Sequence, residues 1–264
     1  MRQFFNPDEP VSYAYLQVSL NRYTFASQFT GDKVVLDVGC GAGYGSSYLA
    51  RNAKRVIGVD ISKEAVDCAR EHYPKDGLDF ITADATKLPF PRGSFDVVVA
   101  FEVLEHVKEY ESLLRECKRV TKNGGMFICS TPTKEFMSPG SGKPASAAHF
   151  REFYVSEFCQ LLAELSNDVT FYGQLHCNWI NKTKARIQKR IAKRIAEIMG
   201  CVPMGKQFKS FIKKFMRDYK DMILSELKEG DFDKLLDRKY QPVPLQSRLT
   251  PNCIIAVLRV RQRE

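Results

Sequence analysis

From residue 30 to residue 174, short apolar runs alternate with amphipathic stretches. Residues 33–38 (KVVLDV), 55–60 (RVIGVD), 78–84 (LDFITAD), 95–101 (FDVVVAF), 125–131 (GMFICST) and 169–174 (VTFYGQ) read as strands. The run at 95–101 is nearly continuous in apolar residues, as a strand covered on both faces must be. Residues 43–53, 62–73, 110–120 and 155–165 read as helices between them. Ser62 is placed to cap the second, and Asn123-Gly124-Gly125 stops the third. A further helix over 11–29 precedes the first strand. Strands alternating with helices predict an α/β protein with a doubly wound parallel sheet. Such sheets bind ligands at the carboxyl ends of their strands, near the point where strand order reverses.

The rhythm breaks twice. Residues 132–148 are rich in Pro, Gly and Ser and read as a mobile loop. Residues 175–252 show helical spacing instead of alternation. Ile187, Ile191, Ile195, Ile198 and Met199 share one face of a helix over 181–199, and an aromatic stripe from Phe208 to Tyr219 marks a second helix over about 206–228. The last apolar run, 252–260, predicts a final strand. The chain thus divides into an N-terminal helical cap (1–30), a core (31–174), a basic helical insertion or lid (175–252) and a last core strand (253–264).

Charge sharpens this division. Residues 179–264 hold 21 Lys and Arg against 9 Asp and Glu, whereas residues 1–178 hold 19 against 22. The net charge of +9 therefore resides in the C-terminal third. Seven of the thirteen residues 182–194 are Lys or Arg. Such a segment suits an anionic small molecule or glycan, a peripheral membrane contact through 181–199, or RNA; it also suits a solvated lid. No apolar stretch reaches the length of about 18 residues that a membrane span needs, and the first ten residues lack an apolar signal region. A cytoplasmic protein is expected. The eight cysteines form no C-x-x-C pair, and no His/Cys cluster has zinc spacing, so reduced structural thiols and no metal are expected.

The chemistry concentrates at the ends of the strands. Gly39, Gly41, Gly43 and Gly45 alternate after the first strand, around Cys40. Such a turn lets backbone approach a ligand at a helix start. The spacing G-x-G-x-G-x-G departs from the G-x-G-x-x-G that cradles a dinucleotide pyrophosphate. Asp60 ends the second strand, where a carboxylate can accept ribose hydroxyls or serve as a helix N-terminal acid. Asp84-Ala85 follows the third strand and could read an adenine edge or cap a loop. FEVLEHV (101–107) follows the fourth and sets Glu102, Glu105 and His106 beside the same cleft.

The segments VLDVGCGAGYG, VIGVDIS, ITADATKLPF, SFDVVVAFEVLEHV and LLRECKRVTKNGGMFICSTP stand in the order and spacing of class I S-adenosylmethionine-dependent methyltransferases, which the chain resembles over residues 13–174 and the final strand. The resemblance implies a Rossmann-like seven-stranded sheet with the last strand antiparallel, and S-adenosyl-L-methionine as cofactor. It implies that the glycine turn (Gly39, Cys40, Gly41, Gly43) passes under the methionine part and that Asp37 helps hold its amino group, directly or through water. Asp60 would take the ribose hydroxyls, Ile61 would pack on the adenine, and Asp84 and Ala85 would bind the adenine edge. Phe101 would sit at the sulfonium end. Tyr13, Arg22 and Tyr23 would close over the cofactor carboxylate.

Methyl transfer is an in-line displacement that mainly needs the nucleophile positioned. A base is required only where the acceptor must lose a proton. Glu102, His106 and His149 are the candidates, and His149 lies at the end of the 132–148 loop. The leading expectation is an enzyme methylating oxygen or nitrogen of a small-molecule or glycan acceptor. Three rivals remain. An RNA methyltransferase would fit the basic segment, but FEVL occupies the place of the motif for base amines. A non-catalytic S-adenosylmethionine-binding regulator would share the same residues. A nicotinamide oxidoreductase is disfavoured by the glycine spacing.

Overall fold

The computed structural model describes residues 13–174, 242–245 and 251–261. Within them α1 (Tyr13–Ser27) precedes β1 (Val34–Val38), α2 (Tyr44–Leu49), β2 (Arg55–Asp60), α3 (Lys63–His72), β3 (Leu78–Thr82) and β4 (Phe95–Phe101). A 3-10 turn, Leu104–His106, leads to α4 (Tyr110–Val120), β5 (Thr121–Pro132), α5 (Lys134–Met137), α6 (Val155–Leu165) and β6 (Val169–Gln174). β7 (Val243–Pro244) and β8 (Cys253–Arg259) complete the sheet. The two helices expected over 181–199 and 206–228 lie outside the described residues.

The strand order is β3-β2-β1-β4-β5-β8-β6-β7. β1 pairs in parallel with both β2 and β4, so the order reverses at β1. β8 enters between β5 and β6, antiparallel to both. The sheet is the expected seven strands with an antiparallel last strand, extended by the two-residue β7 on the outer edge of β6. The period-2 alternation of strands sends residues to two cores. Val35, Val97, Val99 and Ile128 pack with Leu20, Leu49, Val66 and Ala69 of α1–α3. Leu36, Val98, Phe127 and Cys129 pack on the other face with Leu113, Cys117, Phe158 and Leu162 of α4 and α6. Two covered faces explain why β4 carries no polar side.

Local signals set most boundaries. Ser62 caps α3, its hydroxyl accepting from Ala65 N at 3.2 Å. β5 starts four residues earlier than its apolar run. Phe95 pairs with Thr121 and Val97 with Met126, so residues 122–125 loop out within the strand. Gly124 N then donates to Val260 O and Val260 N to Gly125 O, which recruits the expected helix-stop glycines to β8. The 132–148 segment begins as the single turn α5, and buried Glu152 ties it down by accepting from Ser138 Oγ and from Ala145 N. The six described cysteines are free thiols. No described helix is long and apolar enough to cross a membrane.

Candidate active site

A cavity of about 1010 Å³ opens at the carboxyl ends of β1, β2 and β4. Its floor is the turn after β1. Gly39 has φ +72°, and a Cβ there would lie 2.3 Å from Val103 Cγ2. The turn is drawn onto β2 because Gly39 N and Cys40 N both donate to Val59 O, at 2.7 and 3.0 Å. Asp60 joins two turns: one carboxylate oxygen accepts from Gly41 N and the other from Ser62 N, each at 2.9 Å. Beside it the apolar side chain of Ile61 is 73% exposed. Asp84 and Ala85 follow β3 on the same wall, with Asp84 Oδ1 accepting from Thr86 N and Oγ1 at 2.8 Å each.

The other wall comes from α1 and β4. The Tyr23 ring stands edge-on to Phe101 at 5.1 Å and to Tyr44 at 5.7 Å, and all three line the cavity. Aromatic faces in such a group attract a cation. Arg22 is buried on the same wall and donates to Gln174 Oε1 and Ser19 Oγ. Tyr13 is the first residue of α1, and its side chain lies outside the described residues.

Asp37 and Gly43 are not in the cavity lining. Gly43 is the N-cap of α2, packed toward the core. Asp37 lies fully buried under the turn, accepting from Ser46 Oγ at 2.6 Å and Tyr23 Oη at 3.3 Å. Its carboxylate thus holds Tyr23, a residue of the cavity wall, in place. Pairing with Ser46 and Tyr23, 9 and 14 residues away, was not readable from β1 alone.

The third region holds the expected bases. Glu102 follows β4 in a left-handed conformation, φ 55°, and its Oε1 accepts from Ser130 Oγ at 2.8 Å and Cys253 Sγ at 3.2 Å. Glu105 is buried, with Oε2 accepting from Thr131 Oγ1. Burial, with Glu102 nearby, pushes the Glu105 carboxyl well above the usual range. His106 and His149 meet edge-to-face at 4.9 Å. His106 Nδ1 faces Ala148 O at 3.0 Å and His149 Nδ1 faces Glu152 at 2.8 Å. Burial lowers the His106 pKa. Glu105 lines this end as the sequence expects, and Phe136 and Phe150, which the sequence does not single out, line it too. An exposed Phe, 64% accessible at Phe150, carries no one-dimensional signal.

The sequence model of a methyltransferase domain matches residues 36–129. A probable S-adenosylmethionine-dependent methyltransferase of Mycolicibacterium smegmatis is 33% identical over 209 residues, 77% of this chain and 78% of that protein. The chain belongs to the class I S-adenosylmethionine-dependent methyltransferases. A ubiquinone biosynthesis O-methyltransferase of Colwellia psychrerythraea is 37% identical over 111 residues, 40% of this chain and 45% of that one. Among solved structures, the YcgJ protein of Bacillus subtilis shares the fold at a TM-score of 0.53 and 19% identity, covering 93% of this chain and 99% of that chain.

The methyltransferase uses S-adenosyl-L-methionine, and the cavity suits it. The turn at Gly39–Gly41 offers bare backbone, Asp60 offers a carboxylate beside exposed Ile61, and the aromatic trio suits a sulfonium. The Gly39–Val103 spacing leaves no room for a side chain between turn and cleft.

Asp37 gives the methyltransferase a pH signature. Burial raises its pKa from 3.8 to about 7, against the hydrogen bonds from Ser46 and Tyr23 and with the Asp60 charge adding to the rise. The folded state therefore holds the Asp37 proton more tightly than the unfolded chain does. Its stabilising contribution is complete below about pH 4 and is lost as pH rises through about 7. Asp37→Asn keeps an acceptor for Ser46 without the charge. The melting temperature of Asp37→Asn should gain on wild type between pH 5 and 8, at about 2–4 °C per kcal/mol. A constant difference across that range would show that Asp37 ionises normally.

Proposed function

We propose that the enzyme methylates an oxygen or nitrogen of a small-molecule or glycan acceptor. The observation that carries this reading is a cavity with two chemically different ends. One end is the glycine turn with Asp60, Ile61 and Asp84; the other gathers Glu102, Glu105, His106 and His149 under exposed Phe136 and Phe150. Its volume stands at the upper limit of small-molecule pockets, about 1000 Å³, which leaves room for an acceptor beside the cofactor. The cofactor supplies a methyl group already activated on a sulfonium. Gly39 and Gly41 would present backbone to it, and Asp60 and Asp84 would hold its polar groups. Tyr23, Tyr44 and Phe101 would stand beside its positive charge. The phenyl rings of Phe136 and Phe150 favour an acceptor with an apolar face, and the histidine end receives its polar group.

The test is the fate of a labelled methyl group. Protein and methyl-labelled cofactor are incubated with a cell extract separated into small-molecule, glycan, RNA and protein fractions. Label is expected in the small-molecule or glycan fraction. Label confined to RNA or protein would overturn the reading.

A further inference from the structure

We propose that Glu105, His106 and His149 form a binding site for a first-row divalent cation of the zinc type at the acceptor end of the cleft. Each of the three offers a ligand atom within 4.8 Å of the other two, and Glu105 Oε1 lies 4.0 Å from His106 Nε2. Tetrahedral zinc bonds of about 2.1 Å put ligand atoms about 3.4 Å apart, so movements of about an ångström would close the set.

The surrounding hydrogen bonds prepare both rings as ligands. A carbonyl and a carboxylate can only accept, so His106 Nδ1 donates to Ala148 O and His149 Nδ1 donates to Glu152. Each neutral ring then carries its lone pair on Nε2. Metal-binding histidines characteristically have the other nitrogen held in this way by a carbonyl or a carboxylate. Glu152 is itself fixed, accepting from Ser138 Oγ and from Ala145 N at 2.9 Å. The backbone clamps the two halves: Phe150 N donates to Glu105 O at 2.7 Å, so the histidine loop is stapled to the 3-10 turn. Solvent reaches only 2% of the Glu105 side chain and 9% of His149. Glu102 shares this end, so two carboxylates face one small volume that a dication would neutralise.

Two imidazoles and a carboxylate suit zinc and its first-row neighbours better than magnesium or calcium, which favour oxygen ligands alone. Three protein ligands also leave a coordination position toward the cavity, the mark of a reactive site and not a structural one. The role in catalysis rests on the acceptor reading above. An acceptor hydroxyl beside the cation loses its proton to solvent more readily. Its oxygen forms the bond to the methyl carbon as the carbon–sulfur bond breaks, and that electron pair stays on sulfur to leave S-adenosylhomocysteine. In this scheme the two histidines are ligands, and no side-chain base is needed.

The probe is zinc alone, titrated calorimetrically into chelator-stripped full-length protein, with S-adenosylhomocysteine binding measured in parallel. Wild type should bind one zinc per chain at these residues. His106→Ala and His149→Ala should each weaken it at least about 100-fold, the upper range of ligand-shell effects, while both retain S-adenosylhomocysteine binding. Glu152→Gln should weaken zinc by a smaller factor. Absence of zinc binding in wild type that binds S-adenosylhomocysteine would overturn the site and leave the methyltransfer reading intact. Zinc binding unchanged in both histidine variants would overturn it equally. Zinc binding lost in the variants, with no methyl transfer to any small molecule or glycan, would uphold the site and remove its catalytic role.

Discussion

Gly43→Ala should lower the stability of the methyltransferase by about 2–4 kcal/mol, the sum of a left-handed backbone cost and an overpacking cost. That corresponds to a fall of roughly 5–15 °C in melting temperature. Gly43 has φ +86°, a conformation that a Cβ opposes. The added carbon would also lie 2.7 Å from both Ala69 Cβ and Phe80 Cζ. These atoms belong to α3 and β3 in the core, where neither can retreat without moving an element. The residue cannot swing away either, because its N–H is held by Cys40 O and its carbonyl by Ser47 N. Gly124→Ala separates the two costs. Gly124 has φ +77° but open space around its Cβ position, so it should lose only the backbone part, about 1–2 kcal/mol. Chemical unfolding of both variants gives the comparison. Equal losses would mean that the core beneath the turn repacks freely.

Asp60→Ala should weaken S-adenosylhomocysteine binding by about 10–100-fold, since hydrogen bonds to a charged group are worth about 1.5–3 kcal/mol. The loss has two sources. The carboxylate that the family resemblance assigns to the ribose hydroxyls is gone, and the Gly41 and Ser62 amides lose their common anchor. Asp60→Asn keeps one acceptor oxygen and should fall between the two. Calorimetry on the three proteins reads the effect, with far-UV spectra confirming the fold. An unchanged affinity in Asp60→Ala would move the ribose away from β2 and undo the orientation of the whole cleft.

The local pattern was legible where one element decides its own structure. The runs 95–101 and 169–174 are strands to the residue, and 110–120 and 155–165 are helices to the residue. Periodicity and end signals act within a few residues, so a one-dimensional reading captures them. The pattern misled at 121–125. There the glycines that stop a helix also pair with β8, whose nearest residue lies far along the chain. The two-residue β7 was invisible because it is too short to alternate.

The site divides along the same line. Asp60 and Asp84, which strand ends mark in the sequence, line the cavity, as does Ile61, which the family resemblance points to. Asp37 stands beside the glycines in the chain, and only packing shows that its carboxylate accepts from Tyr23 and Ser46.

By itself the sequence determined the alternation of strands and helices, the glycine turn and the acidic strand ends, and its resemblance to the family implied the cofactor. Each of these depends on backbone preferences and side-chain chemistry within a single segment. The tertiary structure decided where β8 inserts, which carboxylates are buried, and that His106 and His149 meet. The His106 ring reaches a carbonyl 42 residues away, and closing such a loop depends on the free energy of the whole packed sheet, not on any local signal.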